Sequence, residues 1–285
     1  LDEFGIDYIE GGWPGSNPVD VAFFKEIANY HLKHARIAAF GSTHHPDNTA
    51  EADPNLNALI ASGATAGTIF GKSCERHAKE ALRLDPKRNL DIIRNSVAYL
   101  KRSMPEVYFD AEHFFDGYKR NAEYSLAVLR AAHEAGALII NLCDTNGGTL
   151  PNEIRQIVSD LRVALPEVRL GIHTHNDCEM AVANTIAAVQ SGAEMVQGTI
   201  NGVGERCGNA NLCSIIPVLQ VKCGLSCLPE PADERLRQLS KLSSYFAEVA
   251  NMKPFNRQPF VGNYAFAPTG GGHVSAVNRR SSPHE

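Results

Sequence analysis

Two histidines stand one residue apart in the segment GIHTHND, residues 171–177, directly after an apolar run. Side chains two residues apart on a β-strand point to the same face, so His173 and His175 can share one site if a strand continues through them. Imidazole nitrogens bind divalent transition metals, and oxygen ligands suit Mg²⁺ or Mn²⁺. Asn209, just past the next apolar run, offers such an oxygen. The pattern predicts a metal site with these three ligands, and a histidine pair that only forms hydrogen bonds is the alternative.

Two acidic residues, Asp110 and Glu112, lie on one face of another predicted strand, in the segment FDAEHFFDGY. A carboxylate in such a place can orient a substrate, or transfer a proton when its pKa is shifted. The alternative is an ion pair at the end of the strand, with Lys72 or Arg206 as the partner. We favour a functional role for Glu112, and for Asp110 substrate binding and ion pairing both stay open.

The segment GVGERCGN, residues 202–209, resembles a glycine loop that binds phosphate, although its spacing is not that of a Walker motif. Arg206 within it is a candidate for substrate binding and could equally bridge two loops. His77, after GKSCER, and His273, in GGGHVS, are isolated histidines. Nothing in their immediate surroundings assigns them a role.

Seven short apolar runs recur along the chain, separated by helical stretches. Each run is rich in Ile, Val, Tyr and Phe and is bounded by Gly, Asn, Asp or Pro, which predicts a buried strand. Their alternation with amphipathic helices, predicted over 87–102, 121–135 and 150–165, indicates a parallel sheet with right-handed crossovers. The runs end at Glu10, Phe40, Phe70, Glu112, Asp144, His175 and Ile200.

A (β/α)8 TIM barrel needs eight strand–helix units, and seven strands are visible here. The chain opens in what resembles the last turn of a helix, with Gly5 as its C-cap, so we expect a first strand to be missing. No G-x-G-x-x-G segment follows a strand, which argues against a doubly wound dinucleotide-binding sheet. In a barrel, the polar strand ends meet at one mouth. We predict a catalytic barrel over residues 1–222 and a truncated helical linker over 223–285, with one helix from Asp233 to Asn251.

The composition excludes several classes of function. The formal net charge is −5 and both signs are interspersed, so no basic surface for nucleic acid is expected. No apolar run has the length of a membrane helix. The 7 cysteines are scattered singly, which is typical of reduced thiols in a cytoplasmic protein. Small molecules are therefore the expected partners.

At greater length, the sequence resembles the citramalate synthase branch of the isopropylmalate synthase and homocitrate synthase family, the DRE-TIM metallolyases. H-x-H-N-D followed by G-x-G-E-R-x-G-N is specific to this superfamily, and GGWPGSNP and DAEHFFDGYK point to the citramalate branch. Other matching segments are TIFGKS, LCDTNGGTLPNEI and VQGTINGVGERCGNANL. The resemblance runs from Leu1 to about Val277.

The resemblance implies a TIM barrel that condenses acetyl-CoA with pyruvate to give (R)-citramalate and CoA, a step of isoleucine and branched-chain amino-acid biosynthesis. It implies a divalent metal, Mg²⁺, Mn²⁺ or Zn²⁺, held by His173, His175, Asn209 and an Asp of the first strand. It also implies a homodimer. The other roles that it implies fall on Thr145, which binds the 2-oxo acid, and on Glu112, His77 and His273 in catalysis, the last donated to the partner subunit.

The sequence also departs from the family pattern. The first-strand segment with the metal Asp is absent, as is the regulatory domain, and FAPTGGGHVSA stands where the family usually has FAHKGGIHVSA. We expect weak metal binding and poor turnover from these 285 residues. The alternatives are 2-isopropylmalate or homocitrate synthesis, and a non-catalytic fragment whose open barrel exposes two long strand edges. A metal-dependent amidohydrolase is disfavoured because its H-x-H lies on the first strand.

Overall fold

The computed structural model describes residues 1–267 of the 285-residue chain. Its centre is a seven-stranded, all-parallel sheet whose strands follow one another in chain order. Each of the seven predicted runs coincides at least in part with one of these strands. The strands are β1 (Tyr8–Glu10), β2 (Arg36–Ser42), β3 (Ala66–Lys72), β4 (Glu106–Glu112), β5 (Ile139–Asp144), β6 (Leu170–Thr174) and β7 (Met195–Gln197).

The sheet is curled into an open barrel. Neighbouring strands lie about 4.8 Å apart, so β4 and β7 would be separated by roughly 14 Å in a flat sheet. Yet Gln197 on β7 donates a hydrogen bond of 3.1 Å to Asp110 on β4. Tyr8 on β1 likewise reaches Glu106 on β4, at 2.8 Å. The predicted TIM-barrel architecture is confirmed.

The two edges of the sheet are short. Among the described residues, β1 and β7 do not pair with each other, so each forms an edge. Each has only 3 residues. The expectation of two long exposed edges is therefore wrong, and the short edges offer little template for pairing with another chain.

Four strand ends differ from the prediction: β2 and β3 each run two residues further, to Ser42 and Lys72, and β6 and β7 end earlier. β6 ends at Thr174, because His175 turns away from β7 to form an isolated antiparallel bridge with Asn209. β7 ends at Gln197, and a turn of 3₁₀ helix over Ile200–Gly202 follows the strand.

Helices cover the outside of the sheet, and apolar side chains between the two layers form the main core. Sequence signals mark their starts: Asp53 and Asp85 cap helices that begin with proline. The helices are α1 (Pro18–Ile27), α2 (Pro54–Ala61), α3 (Glu75–Glu80), α4 (Pro86–Lys101), α5 (Phe114–Arg120), α6 (Ala122–Glu134), α7 (Pro151–Ala164), α8 (Ala181–Gln190), α9 (Leu212–Pro217), α10 (Ala232–Arg237) and α11 (Leu239–Val249). No helix within residues 1–267 is long and apolar enough to cross a membrane.

The single helix predicted from Asp233 to Asn251 is wrong, since α10 and α11 divide at Gln238. The amide of Gln238 donates to the carbonyl of Arg235, three residues back, which tightens the last turn of α10. Both helices contribute to a second apolar cluster that also buries Phe4 and Ile200. This cluster packs residues from both sides of the predicted 222/223 boundary, which stays a prediction.

Candidate active site at the carboxyl ends of the strands

The two histidines of the H-x-H segment face each other at the carboxyl end of β6. Their Nε2 atoms are 3.4 Å apart. The Nδ1 of His175 lies 2.8 Å from the carbonyl oxygen of Thr145, and the Nδ1 of His173 lies 3.0 Å from Oε1 of Gln197. A carbonyl oxygen only accepts, so the Nδ1 of His175 carries a proton. The neutral ring then presents a lone pair at Nε2.

The surroundings keep His173 uncharged. Burial, and then the proximity of His175, lower the pKa of His173 to about 4. A neutral imidazole whose Nδ1 donates has its lone pair at Nε2, which is the form that binds a metal. Two nitrogens that share one ion at about 2.1 Å each lie no more than about 4.2 Å apart, and this pair meets that limit.

Asn209 comes to the same place through its bridge with His175. Its amide Nδ2 donates to the carbonyl of Val203 at 3.1 Å, whereas its Oδ1 is buried without a hydrogen-bond partner among residues 1–267. A buried acceptor left without a partner costs about 1–3 kcal/mol, so a ligand at this oxygen would offset a real penalty. The three predicted ligands therefore fit a cation. Within the described part of the chain, however, no group of three or more His, Cys, Asp or Glu residues could hold a metal.

A buried polar network beneath the histidines was not predicted from the sequence. Asp110 is 6% exposed, and its Oδ1 accepts hydrogen bonds from Asn141 Nδ2 at 2.7 Å and from Gln197 Nε2 at 3.1 Å. Burial raises the pKa of Asp110 to about 6, although both hydrogen bonds act in the opposite direction. One sequence signal could have revealed Asn141 and Gln197. Each is a single amide in an apolar strand segment, and the neighbouring strand carries an acid or a histidine.

Gly171 makes room for this network. It lies two residues before His173 and pairs with Asn141 across β5 and β6. A Cβ at position 171 would lie 1.9 Å from Oδ1 of Asn141. Only glycine leaves that amide in place, so the first residue of the GIHTHND segment serves the network rather than a turn.

Glu112 forms the ion pair that was the alternative to a catalytic role. Its Oε2 accepts from Lys72 Nζ at 2.5 Å, and both side chains are about one-fifth exposed. His113 follows Glu112 with a φ of +58°, and the His113 ring meets that of His77 edge-to-face, with centroids 4.3 Å apart. The structure therefore brings His77, Glu112 and Lys72 together next to β3 and β4.

Thr145 and Arg206 support the mouth. The Thr145 hydroxyl accepts from the backbone amide of His113 at 2.8 Å. The carbonyl of Thr145 accepts from His175 and also from Arg206 Nη2, at 2.7 Å. Arg206 also donates two bonds, 2.8 and 2.9 Å, to Asp177. These contacts favour the interpretation that Arg206 bridges loops over the one in which it binds substrate.

The space inside the glycine loop around Arg206 is occupied by the side chain of Asn209, which belongs to the same loop. A Cβ on Gly204 would lie 2.0 Å from the side-chain nitrogen of Asn209. Gly204 lets the loop close over Asn209. This close approach accounts for the glycine at position 204 without a bound phosphate. His273 lies outside the described residues.

Aromatic rings line the opposite side of the mouth, at β2 and β3. Phe40 and Phe70 stack with centroids 5.6 Å apart, and Trp13 meets both edge-on. The ammonium of Lys72 lies 5.8 Å from the Phe70 ring centre. On β1, burial and then the charge of Asp110 raise the pKa of Glu10, although solvent reaches part of its side chain. The mouth thus combines an apolar wall, the ammonium group of Lys72 and the imidazole pair.

The chain is similar to known proteins over its whole length. (R)-Citramalate synthases from Geobacter sulfurreducens and Aquifex aeolicus are 54% and 50% identical over 285 residues, all of this chain and 53% of each relative. A 2-isopropylmalate synthase from Oceanobacillus iheyensis is 31% identical, and this chain spans 54% of it. The chain thus spans about half the length of the curated relatives it matches.

Solved structures share the fold. The HMG-CoA lyase of Bacillus subtilis matches with a TM-score of 0.72 and 19% identity, covering 90% of this chain and 86% of that one. The HMG-CoA lyase of Pseudomonas aeruginosa matches with a TM-score of 0.71 and 18% identity, covering 90% and 85%. The model of the HMGL-like family matches residues 1–242. The chain belongs to the HMGL-like family.

Proposed function

We propose that this chain forms the catalytic barrel of a (R)-citramalate synthase, which joins acetyl-CoA to pyruvate. One observation carries the proposal: two imidazole Nε2 atoms lie 3.4 Å apart at the mouth of an HMGL-like barrel, and Asn209, which is bridged to His175, has a buried Oδ1 without a hydrogen-bond partner among residues 1–267. Two imidazole nitrogens that carry lone pairs and the amide oxygen of a neighbouring residue are ligands suited to a divalent cation that binds the 2-oxo acid. The named relatives at about half identity agree with the choice of reaction.

The reaction can be written with its atoms balanced. A base removes a proton from the acetyl methyl group, and that carbon forms a bond to the ketone carbon of pyruvate. The ketone oxygen takes up a proton and becomes a hydroxyl group. Water then cleaves the thioester, which leaves a carboxylate, releases CoA as the thiol and gives up one proton to the solvent. The protein must therefore stabilise negative charge at the ketone oxygen and hold a base near the methyl group.

His173, His175 and Asn209 would hold the divalent metal, Mg²⁺, Mn²⁺ or Zn²⁺. When bound, the metal supplies Lewis-acid polarisation of the ketone. The Thr145 hydroxyl keeps its own proton while accepting from His113, so it can donate to a substrate carboxylate.

Glu112 is suited to positioning more than to proton removal. One carboxylate oxygen of Glu112 is held by the ammonium of Lys72 at 2.5 Å, which fixes the orientation of the side chain. We propose that the Lys72–Glu112 pair binds the polar end of a substrate. Proton removal then falls to His77, which lies beside this pair, or to His273.

The aromatic wall favours a small 2-oxo acid. Trp13, Phe40 and Phe70 are bulky and contact one another, so they fill much of this side of the mouth. This supports pyruvate over the larger 2-oxoisovalerate, although the relatives include a 2-isopropylmalate synthase.

The test is thiol release from acetyl-CoA by the 285-residue chain with Mn²⁺, using pyruvate, 2-oxoisovalerate and 2-oxoglutarate in turn. We expect low turnover with pyruvate as the preferred substrate. Relaxation of the pyruvate methyl protons by protein-bound Mn²⁺ gives a second measurement that does not need turnover. A preference for another 2-oxo acid in both measurements would refute the proposal.

We further propose that the enzyme is a cytoplasmic homodimer. Light scattering of the purified chain measures its mass in solution directly, and a monomer at all concentrations would contradict this assignment.

A further inference from the structure

We propose that Gln197 is a positioning residue that selects the tautomer of His173, with Asp110 holding Gln197 in the required orientation. The chain of contacts runs from β4 through β7 to β6. Asp110 Oδ1 accepts from Gln197 Nε2 at 3.1 Å, and Gln197 Oε1 lies 3.0 Å from Nδ1 of His173. The inference rests on the proposed role of His173 as a metal ligand.

The orientation of the Gln197 amide follows from what its two neighbours can offer. A carboxylate oxygen accepts hydrogen bonds, so the amide NH₂ of Gln197 must face Asp110. The amide oxygen then faces the His173 ring and accepts from it. Nδ1 of His173 must therefore carry the proton, and the lone pair is left at Nε2, on the side of His175.

Asp110 is itself held in place. Asn141 donates to the same oxygen at 2.7 Å, and the carboxyl group is buried within the barrel. A buried carboxyl group with a raised pKa destabilises the fold, so packing alone does not account for an acid here. Asp110 instead serves to orient Gln197. Without an acceptor at this point, the Gln197 amide could rotate and present its NH₂ group to His173.

The two histidines are oriented by different means. His175 is oriented by a main-chain carbonyl, that of Thr145, which no side-chain substitution removes. His173 depends on a side chain, and its tautomer is therefore open to mutation. This difference provides an internal control, because one variant should affect one ring and spare the other.

The first experiment measures the tautomers by long-range ¹H–¹⁵N NMR of the metal-free chain with ¹⁵N-labelled histidine. We expect both rings in the Nδ1–H form in the unmodified protein. In Gln197→Leu, which keeps the bulk and removes the hydrogen bonds, His173 should shift towards the Nε2–H form while His175 does not change. An unchanged His173 tautomer in a folded Gln197→Leu variant overturns the proposal.

The second experiment measures Mn²⁺ affinity from the EPR signal of the free ion. Loss of an outer partner of a ligating histidine typically lowers metal affinity 10–100-fold, and we expect this range for Gln197→Leu. The matched control, Gln156→Leu on the exposed face of α7, should bind as the unmodified chain does. An affinity within twofold of the control contradicts the proposal.

A double-variant cycle tests the part that Asp110 plays. Asp110→Leu should lower Mn²⁺ affinity in the unmodified chain and have little further effect when Gln197 is already Leu, because Asp110 acts through Gln197. If the losses of Mn²⁺ affinity in the two single variants simply add up in the double variant, Asp110 does not act through Gln197, and this part of the proposal is overturned. The NMR measurement needs neither metal nor substrate, so it stands even if thiol release fails with every 2-oxo acid. Failure of the proposed function and of this inference are therefore distinguishable.

Discussion

Replacing Asp110 by Asn should stabilise the protein at neutral pH. Burial favours the neutral form of this carboxyl group in the folded protein and raises its pKa from the ordinary 3.8 to about 6. Between these values the folded chain holds a proton that the unfolded chain has released. Stability therefore falls as the pH rises from about 4 to about 6 and then levels off.

The pKa difference sets the magnitude. At 1.36 kcal/mol for each pH unit, the penalty is about 1 kcal/mol at pH 4.5 and about 3 kcal/mol at pH 7.5. Asn has the size of the neutral acid and keeps an acceptor oxygen, and it carries no such penalty. The advantage of Asp110→Asn should therefore grow by about 2 kcal/mol over this range. The Asp110 charge also raises the pKa of Glu10. Asp110→Asn removes this repulsion as well, which adds to the stabilisation.

Urea denaturation of both proteins at pH 4.5, 5.5, 6.5 and 7.5 measures the difference. Asp160→Asn, at an exposed carboxyl group on α7, is the matched control. A difference between Asp110→Asn and the unmodified protein that is constant across the series would refute the reasoning, because a pH-independent gain reports packing and not ionisation.

Three further changes test other parts of the site. Gly171→Ala should lower the free energy of unfolding by about 1–3 kcal/mol in urea denaturation, since its Cβ would overlap an amide oxygen at 1.9 Å, whereas Gly148→Ala meets no described atom within 4 Å and should be neutral. Asn209→Ala should weaken Mn²⁺ binding at least tenfold by EPR, in line with the typical effect on metal affinity of losing a supporting group; unchanged affinity would exclude this oxygen as a ligand. Lys72→Met should lower the melting temperature by leaving Glu112 unpaired, and adding Glu112→Gln should restore most of the loss.

Local sequence patterns predicted the elements of the fold well. Each strand is a short apolar run between turn residues. The amphipathic helix predicted over 150–165 is present as α7, and it buries Ile154, Ile157, Val158 and Leu161. These features depend on residues close together in the chain. The sequence does not predict the division at Gln238, because apolar spacing continues through this residue; in the structure the hydrogen bond from the Gln238 amide to the Arg235 carbonyl ends α10 there.

The site could be predicted only in part, for a similar reason. The spacing of His173 and His175 is local, so their common face was visible in the sequence. The partners of Asp110 lie on β5 and β7, 31 and 87 positions away. These residues meet only because the sheet is curled, and the curl cannot be inferred from the type of any single residue. Arg206 was similarly ambiguous until its contacts with Asp177 and Thr145 were known.

The cluster around Phe4 links the order of synthesis to the order of folding. Phe4 is buried against Leu239 and Val261, residues made more than 200 positions later. During translation β1 therefore has its neighbour β2 early, whereas Phe4 lacks its apolar partners until α11 has left the ribosome. A nascent chain stalled before that point would leave Phe4 exposed to proteases and chaperones, and release of the last helices would protect it.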